Sequence, residues 1–82
     1  MKESIPDFVF PSLDFCIEVK LLKNKSRLKK VIEEINADTT SYRTKYKHIF
    51  FVVYDTNGVI DNEDEFKYNI AGKQTYLRII KH

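Results

Sequence analysis

The sequence predicts an α/β fold with a mixed sheet, in which the elements follow the order strand, strand, helix, strand, helix, strand. Three observations predict it. Two apolar segments joined by a proline turn come first, a stretch with helical periodicity follows them, and a continuous apolar run occupies the middle of the chain. A chain of 82 residues with 43% hydrophobic side chains suffices for one small domain, which we expect to span residues 1–82.

The first two strands are predicted at residues 7–10 and 14–22, with a turn at residues 11–13. Pro11 fixes its own φ and has no N–H to donate to a strand partner, so it favours a turn at this point. Consecutive strands joined by a short connection pair with each other in the antiparallel direction. We therefore expect a hairpin at the start of the fold.

A helix is predicted from about residue 26 to about residue 43. Ser26 is expected to be its N-cap, because a serine oxygen can accept a hydrogen bond from an N–H of the first turn. The side chains expected on the buried face recur at intervals of three and four, and they are Leu28, Val31, Ile32, Ile35, Thr39, Tyr42 and Tyr46.

The run at residues 49–54 has no polar interruption. A strand buried on both faces has this composition, which predicts a central parallel strand with helices on the faces of the sheet. Right-handed crossovers would then place the later strands parallel to one another. The remaining elements are expected to be a turn at residues 55–58, a short helix capped by Asp61 that buries Phe66 and Ile70 and ends at Gly72, and a last strand at residues 75–80.

Composition excludes several classes of protein. No apolar run approaches the ~18 residues that a membrane-spanning helix needs, and the first residues do not follow the pattern of a signal peptide. The single cysteine, Cys16, cannot form an internal disulfide, which favours the cytoplasm. The chain also has no glycine-rich phosphate loop, so it is not a P-loop nucleotide enzyme.

The charges are nearly balanced overall but unevenly distributed. The chain has 14 basic and 12 acidic residues, for a net charge of +2, which is weak evidence for binding to nucleic acid. The stretch from residue 20 to residue 30 contains no acid. On charge alone this stretch is as well explained by a solvated loop and helix start as by a patch that contacts phosphates. The residues of that candidate patch are Lys23, Lys25, Arg27, Lys29 and Lys30.

Two carboxylates and a lysine form the candidate site. Glu18 and Lys20 project from one face of their strand, because side chains alternate along a strand. If the turn places Phe10 opposite Phe15, then Asp7 lies opposite Glu18 on the same face. This register would place two carboxylates and one ammonium in a single patch at the end of the hairpin.

Such a patch is suited to Mg²⁺, with Mn²⁺ as a substitute, because these hard cations prefer oxygen ligands and accept one or two protein carboxylates. The backbone carbonyl of Val19 lies between the two functional side chains and is a candidate third ligand. Lys20 would orient a water or stabilise negative charge. The alternative is that Asp7 merely begins a strand and that Glu18 and Lys20 form a salt bridge on an exposed sheet.

Pro6-Asp7 followed by Glu18-Val19-Lys20 resembles the signature of the PD-(D/E)xK nuclease superfamily, and the wider chain resembles restriction-endonuclease-like domains near GATC-cutting and Mrr-like enzymes. The resemblance implies a restriction-endonuclease-like fold. It also implies a Mg²⁺-dependent DNA endonuclease in which Asp7 and Glu18 bind the metal and Lys20 assists hydrolysis. Several superfamily members carry a polar residue and an aromatic residue four positions apart in the following helix. Asp38 and Tyr42 match this spacing, although we expect Tyr42 to be core and Asp38 to be exposed, with Glu34 or Asn36 as other candidates to face the site.

The chain departs from the superfamily pattern at its start, since only residues 1–5 precede Pro6 and the first helix and outer strand of the superfamily core have no counterpart. It would then be a truncated product, a fragment, or a chain that completes its sheet as a homodimer through an exposed sheet edge. The alternative function is a catalytically inactive nuclease-like domain that acts in dimerisation or in binding a partner.

Overall fold

A computed structural model describes residues 5–70 and 75–81 of the chain. The elements follow the predicted order, interrupted by two short 3₁₀ turns at Pro11–Leu13 and Lys25–Arg27. The strands and helices are β1 (Phe8–Phe10), β2 (Phe15–Leu22), α1 (Leu28–Tyr42), β3 (His48–Asp55), α2 (Glu63–Tyr68) and β4 (Thr75–Lys81).

The four strands form one mixed sheet in the order β1-β2-β3-β4. β1 is antiparallel to β2, whereas β2, β3 and β4 are parallel to one another. The predicted fold class and the predicted hairpin are thereby confirmed. The register Phe10↔Phe15, on which the candidate site depends, is also confirmed.

The core lies between the helices and one face of the sheet, which we call the helix face. The predicted stripe of α1 is confirmed, because Val31, Ile35, Thr39 and Tyr42 are buried and Leu28 and Ile32 pack against the core. Tyr46 also packs against the core, but it lies beyond the end of α1. The strands contribute alternate residues, as their pleat requires. The buried apolar residues from the rest of the chain are Cys16, Leu22, Ile49, Phe51, Val53, Ile60 and Phe66.

The prediction that β3 is buried on both faces is wrong. Its burial alternates, with Ile49, Phe51 and Val53 buried while Phe50 and Val52 are only half-buried. Both crossovers step along the sheet in the same direction, and right-handed crossovers of this kind place their helices on the same side. The other side, the open face, carries Phe8, Phe10, Phe15, Ile17, Val19, Leu21, His48, Phe50, Val52, Tyr54, Tyr76, Arg78 and Ile80.

Two of the predicted helix caps are also wrong. The α1 helix begins at Leu28 after a 3₁₀ turn, and the Ser26 hydroxyl donates to the side chain of Asn24 instead of capping the helix. In α2 the cap is Asn62, whose Oδ1 accepts from the N–H of Glu65 at 3.0 Å, so Asp61 lies one residue too early.

The short helix otherwise follows the prediction. Phe66 is buried, and Ile70 packs partly against the core just beyond the end of α2. The predicted stop at Gly72 lies outside the described residues. Among the helices that the structure describes, none is long and apolar enough to cross a membrane.

Candidate active site

The β1–β2 hairpin brings Asp7 and Glu18 together. The pairs Phe8↔Ile17 and Phe10↔Phe15 place Asp7, one residue before β1, across from Glu18. The N–H of Asp7 donates to Glu18 Oε1 at 3.1 Å, and the N–H of Val19 donates to Asp7 Oδ2 at 2.7 Å. The two carboxylates therefore extend the hydrogen bonding of the hairpin. Each accepts one backbone N–H with one oxygen, which leaves its other oxygen outside the hairpin hydrogen bonds.

Lys20 lies two residues beyond Glu18 on the helix face, where it meets carboxylates from both β2 and α1. Its Nζ is 2.7 Å from Asp38 Oδ2, 3.4 Å from Glu18 Oε2 and 3.7 Å from Glu34 Oε1. Only 14% of the Asp38 side chain is exposed, so the prediction of an exposed Asp38 is wrong. We call Asp7, Glu18, Lys20, Glu34 and Asp38 the acidic site.

The α1 helix contributes to the acidic site because of its spacing. Glu34 and Asp38 are four residues apart and share one side of the helix. That side faces Lys20, while the adjacent apolar stripe packs into the core. Asn36, the other candidate, points elsewhere, because its Nδ2 donates to the carbonyl of Asn69.

Tyr42 lies beside Glu18 of the acidic site. It is buried as predicted, and its hydroxyl hydrogen-bonds with the carboxylate of Glu18. Burial raises the pKa of Tyr42, and the negative charges of Asp38 and Glu18 raise it further. The phenol is therefore a neutral donor at neutral pH, and Tyr42 has a polar role at the site in addition to its role in the core.

The crowding of carboxylates shifts the pKa of Glu18 and of Lys20. Burial raises the pKa of Glu18, and the neighbouring Asp7 raises it further, against the opposing effects of Lys20 and of the Asp7 N–H. Burial disfavours the charge on Lys20, but the hydrogen bond and charge of Asp38, with Glu18 and Glu34, outweigh it and raise the pKa of Lys20. Lys20 is thus an ammonium at neutral pH. An added positive charge near Glu18 would favour the charged form of its carboxyl group and lower its pKa.

The donor set of the acidic site fits a hard divalent cation. Asp7 and Glu18 offer carboxylate oxygens, which Mg²⁺ prefers, and Mg²⁺ commonly retains several waters beside one or two protein carboxylates. Within residues 5–70 and 75–81, no group of three or more His, Cys, Asp or Glu side chains is arranged to hold a metal. The fit is therefore to a site with two carboxylates and a largely hydrated ion.

The basic residues predicted to contact DNA lie at the end of β2 and the start of α1, and all five are exposed. Lys25 pairs with Asp61 at 3.5 Å, and Arg27 pairs with Glu34 at 3.8 Å. Pairs this exposed are weak and readily exchanged. The contact of this stretch with phosphates stays a prediction.

Another carboxylate on the helix face, Asp55, has a different role that the sequence analysis missed. It is fully buried at the end of β3, and its two oxygens accept from the N–H groups of Val59 and Ile60, both at 2.8 Å. These donors, with the nearby charge of Lys81, outweigh burial and lower the pKa of Asp55. Aspartate directly before a Thr-Asn-Gly turn was the available signal, since its side chain commonly caps such turns.

We assign Cys16 and His48 no role in the acidic site. Burial, with a contribution from Glu18, raises the pKa of Cys16 to about 11, so the thiol is protonated and acts as a small apolar side chain. His48 is on the open face, with its Nδ1 3.3 Å from the hydroxyl of Tyr76.

The chain as a whole matches one protein-family model. The model, described as "REase_DpnII-MboI", matches residues 1–80. The chain belongs to the DpnII-MboI restriction endonuclease family. No curated protein and no solved structure matches it.

Membership of the DpnII-MboI family confirms the resemblance drawn from the sequence, since this is a PD-(D/E)xK-type family associated with GATC-cutting enzymes. The family supports a restriction-type nuclease whose substrate class is DNA, and restriction endonucleases generally use a divalent metal. The hairpin of this DpnII-MboI family member brings together Asp7 and Glu18, with Lys20 beside Glu18, which are the residues that the sequence analysis compared with the PD-(D/E)xK signature.

Proposed function

We propose that this chain is the catalytic portion of a Mg²⁺-dependent DNA endonuclease that hydrolyses phosphodiester bonds. The observation that carries the proposal is the placement of Asp7 against Glu18, with Lys20 beside them, in a site where the pKa of Glu18 is raised. Carboxyl groups with perturbed pKa values cluster at functional sites, and a neighbouring cation would favour the charged form of Glu18.

Asp7 and Glu18 would hold the ion, and the backbone carbonyl of Val19 would add a third oxygen. When bound, a divalent cation would supply a water of lowered pKa and neutralise charge on the phosphodiester. Lys20 is held as an ammonium by Asp38 and Glu34, so it would donate hydrogen bonds to the attacking water or to a phosphate oxygen instead of acting as a base.

The basic stretch from residue 23 to residue 30 would contact DNA phosphates. Its exposed ion pairs with Asp61 and Glu34 would exchange for phosphate contacts at little cost, because exposed pairs contribute little to stability. Phosphate contacts of this kind position DNA without reading its sequence. We further expect the protein to act in the cytoplasm.

The second candidate function is a catalytically inactive nuclease-like domain that dimerises or binds a partner. The observation that favours it is the open face, where many apolar side chains are exposed on one side of the sheet. Pairing of two copies through a sheet edge is one form of this alternative. The two candidates differ in whether the acidic site binds a metal.

The test is a calorimetric titration with Mg²⁺ and with Mn²⁺ of the unmodified chain, Asp7→Asn and Glu18→Gln. Both amides keep an oxygen that can accept the hairpin N–H, so the fold should persist while metal affinity falls at least about tenfold. Glu33→Gln, an exposed change elsewhere on α1, is the matched control and should bind as the unmodified chain does. Cleavage of duplexes with and without a GATC site then follows, with EDTA as the metal-free control.

Equal binding by all four proteins would place the ion elsewhere and contradict the proposed roles of Asp7 and Glu18. Absence of binding by the unmodified chain would favour the inactive alternative.

A further inference from the structure

The segment that joins α1 to β3 carries a second group of basic side chains. They are Arg43, Lys45 and Lys47, and all three are exposed. The sequence has no acidic residue between Asp38 and Asp55, so this segment contains no carboxylate to offset its charge. We call residues 43–47 the basic loop, and the function proposed above gives it no role.

The basic loop lines an open depression of about 380 Å³ at one end of the sheet. The lining consists of residues 43–47 and Asp14, which supplies the single carboxylate of this lining, so three cations and one anion leave an excess of positive charge. The carbonyl of Asp14 accepts from the N–H of His48 at 3.0 Å, and the guanidinium of Arg43 donates to the hydroxyl of Thr75 on β4. The depression is thus tied to both β3 and β4, and its charge suits an anion.

Stabilisation of α1 does not account for all of these charges. Basic side chains near the C-terminal end of a helix interact favourably with its dipole, and Arg43 is the C-cap of α1. The effect falls off within the last turn. Lys47 lies beyond that turn, directly before β3, so its charge needs another explanation.

The basic loop and the basic stretch at residues 23–30 lie at opposite ends of β2. The pair Phe15↔His48 places the basic loop beside the start of this strand. Lys23 directly follows the last residue of the strand. The acidic site therefore lies between two groups of cations.

The two groups are about equally far from the acidic site. Glu18 is four residues after Asp14 and four residues before Leu22. At about 3.3 Å per residue, each group lies roughly 13 Å from Glu18 along the strand, and the two are roughly 26 Å apart. The helix gives a similar value, because the 15 residues of α1 run from one group to the other and span about 22 Å.

This spacing suits duplex DNA. A base pair advances about 3.4 Å along the helix axis, so roughly 26 Å corresponds to about eight base pairs, with about four on each side of the acidic site. A duplex held by the stretch at residues 23–30 alone would be anchored on one side of the acidic site and would be free to turn about that point. Contacts on both sides would fix the orientation of the phosphodiester, and precise orientation lowers the barrier to reaction.

We propose that the basic loop binds the phosphate backbone of duplex DNA, so that the chain holds DNA on both sides of the acidic site. Arg43 offers its remaining guanidinium N–H groups to phosphate oxygens, and Lys45 and Lys47 offer their ammonium groups. Such contacts position the duplex without reading its sequence. The inference rests on the proposed function for its class of substrate, but it requires neither metal binding nor hydrolysis.

The first test is the salt dependence of binding to a fluorescent duplex that lacks a GATC site, measured by anisotropy in EDTA. The logarithm of the binding constant falls with the logarithm of the salt concentration, by about 0.9 for each phosphate contacted. Lys47→Gln should therefore reduce this slope by about 1, and the double variant Arg43→Gln/Lys47→Gln should reduce it by about 2. Lys47→Arg keeps the charge, and Arg78→Gln removes a charge from the open face, so both controls should keep the slope of the unmodified chain.

The second test locates the DNA without removing a charge. Cys16 is buried and its pKa is raised to about 11, so an exposed cysteine introduced elsewhere is the thiol that reacts with a label. Iron–EDTA attached at position 44 of Thr44→Cys, in the basic loop, should cut the backbone of a bound duplex. The same label at position 80 of Ile80→Cys, on the open face, should cut it at most weakly. Circular dichroism verifies that each variant is folded.

Three outcomes would overturn the inference. They are an unchanged slope in both glutamine variants, equal cutting from positions 44 and 80, and an unmodified chain that does not bind the duplex. Failure of the proposed nuclease is seen separately, in the metal titration and cleavage experiments. A chain that shows the expected slopes but does not cleave DNA in Mg²⁺ would support the role of the basic loop and contradict the proposed catalysis.

Discussion

Asp55 and Glu18 are carboxylates on neighbouring strands, and both face the helices, yet their surroundings shift the pKa in opposite directions. The pKa of Asp55 is lowered although the residue is fully buried, because backbone N–H groups satisfy both of its oxygens. The pKa of Glu18 is raised although 12% of its side chain is exposed, because burial acts together with the charge of Asp7. The difference between the two sites therefore lies in the balance of donors and like charges around each carboxylate, more than in its depth.

The comparison separates a structural carboxylate from a candidate functional one. Asp55 stabilises the turn after β3, because both of its carboxylate oxygens accept backbone hydrogen bonds from that turn. Burial and the neighbouring Asp7 disfavour the charged form of Glu18 and so raise its pKa, and a bound cation would favour that charged form.

The largest expected effect is on Asp55. We expect Asp55→Asn to lower the free energy of unfolding by about 2–3 kcal/mol, because the amide can accept from only one of the two N–H groups and leaves the other buried donor unpaired. Urea denaturation followed by circular dichroism measures it. A loss below about 1 kcal/mol would contradict the role given to this residue.

Glu18→Gln should have the opposite sign and a smaller size. Removing the charge relieves the cost of burying a carboxylate and the repulsion from Asp7 and Asp38, so at neutral pH we expect a gain of about 1 kcal/mol or less, with Glu33→Gln as the exposed control. The same urea experiment measures it. A clear loss of stability at neutral pH would show that the attraction of Lys20 exceeds the repulsion at this position.

The two carboxylates also predict opposite pH dependences. Because the folded-state pKa of Asp55 is lowered, its contribution is present above its ordinary value of 3.8 and is lost as the pH falls through the lowered pKa. Because the folded-state pKa of Glu18 is raised, its cost appears as the pH rises from 4.5 through the raised pKa. The gain from Glu18→Gln should therefore disappear in acid, and unfolding curves between acid and neutral pH measure both trends.

The smallest expected effect is on Asp61, a carboxylate that is 79% exposed and pairs with the equally exposed Lys25. We expect Asp61→Asn to change the free energy of unfolding by less than about 0.5 kcal/mol, because such pairs are weak in water. The change also tests the corrected cap, since Asn62 holds the start of α2. A loss above about 1 kcal/mol would show that Asp61 contributes to this helix.

Much of the fold follows from local rules that the sequence displays. The turn at Pro11 and the alternation of side chains along β2 were enough to place Asp7 against Glu18. The periodicity of α1 was enough to identify its buried stripe. The resemblance to the PD-(D/E)xK signature then predicted a metal-binding role for Asp7 and Glu18.

The features that were mispredicted depend on longer-range geometry. The apolar run of β3 does not reveal that both crossovers leave the sheet on the same side, so its open-face residues looked like core. The pairing of Asp38 with Lys20 depends on how α1 is rotated over β2, which its spacing alone does not fix. Each helix cap lies one residue later than predicted, because a 3₁₀ turn precedes α1 and because Asn62 provides a side-chain acceptor for α2.

The acidic site brings together four carboxylates and one ammonium, and this excess of negative charge has a thermodynamic consequence for the proposed nuclease. A phosphodiester that approaches such a site is repelled until a cation offsets the charge, and a cation is held more tightly once DNA adds its own negative charge. The two ligands are thus coupled, and linkage requires that each strengthens the binding of the other by the same factor. We therefore expect the affinity of the chain for DNA to be low without a divalent metal and to rise when the metal is added.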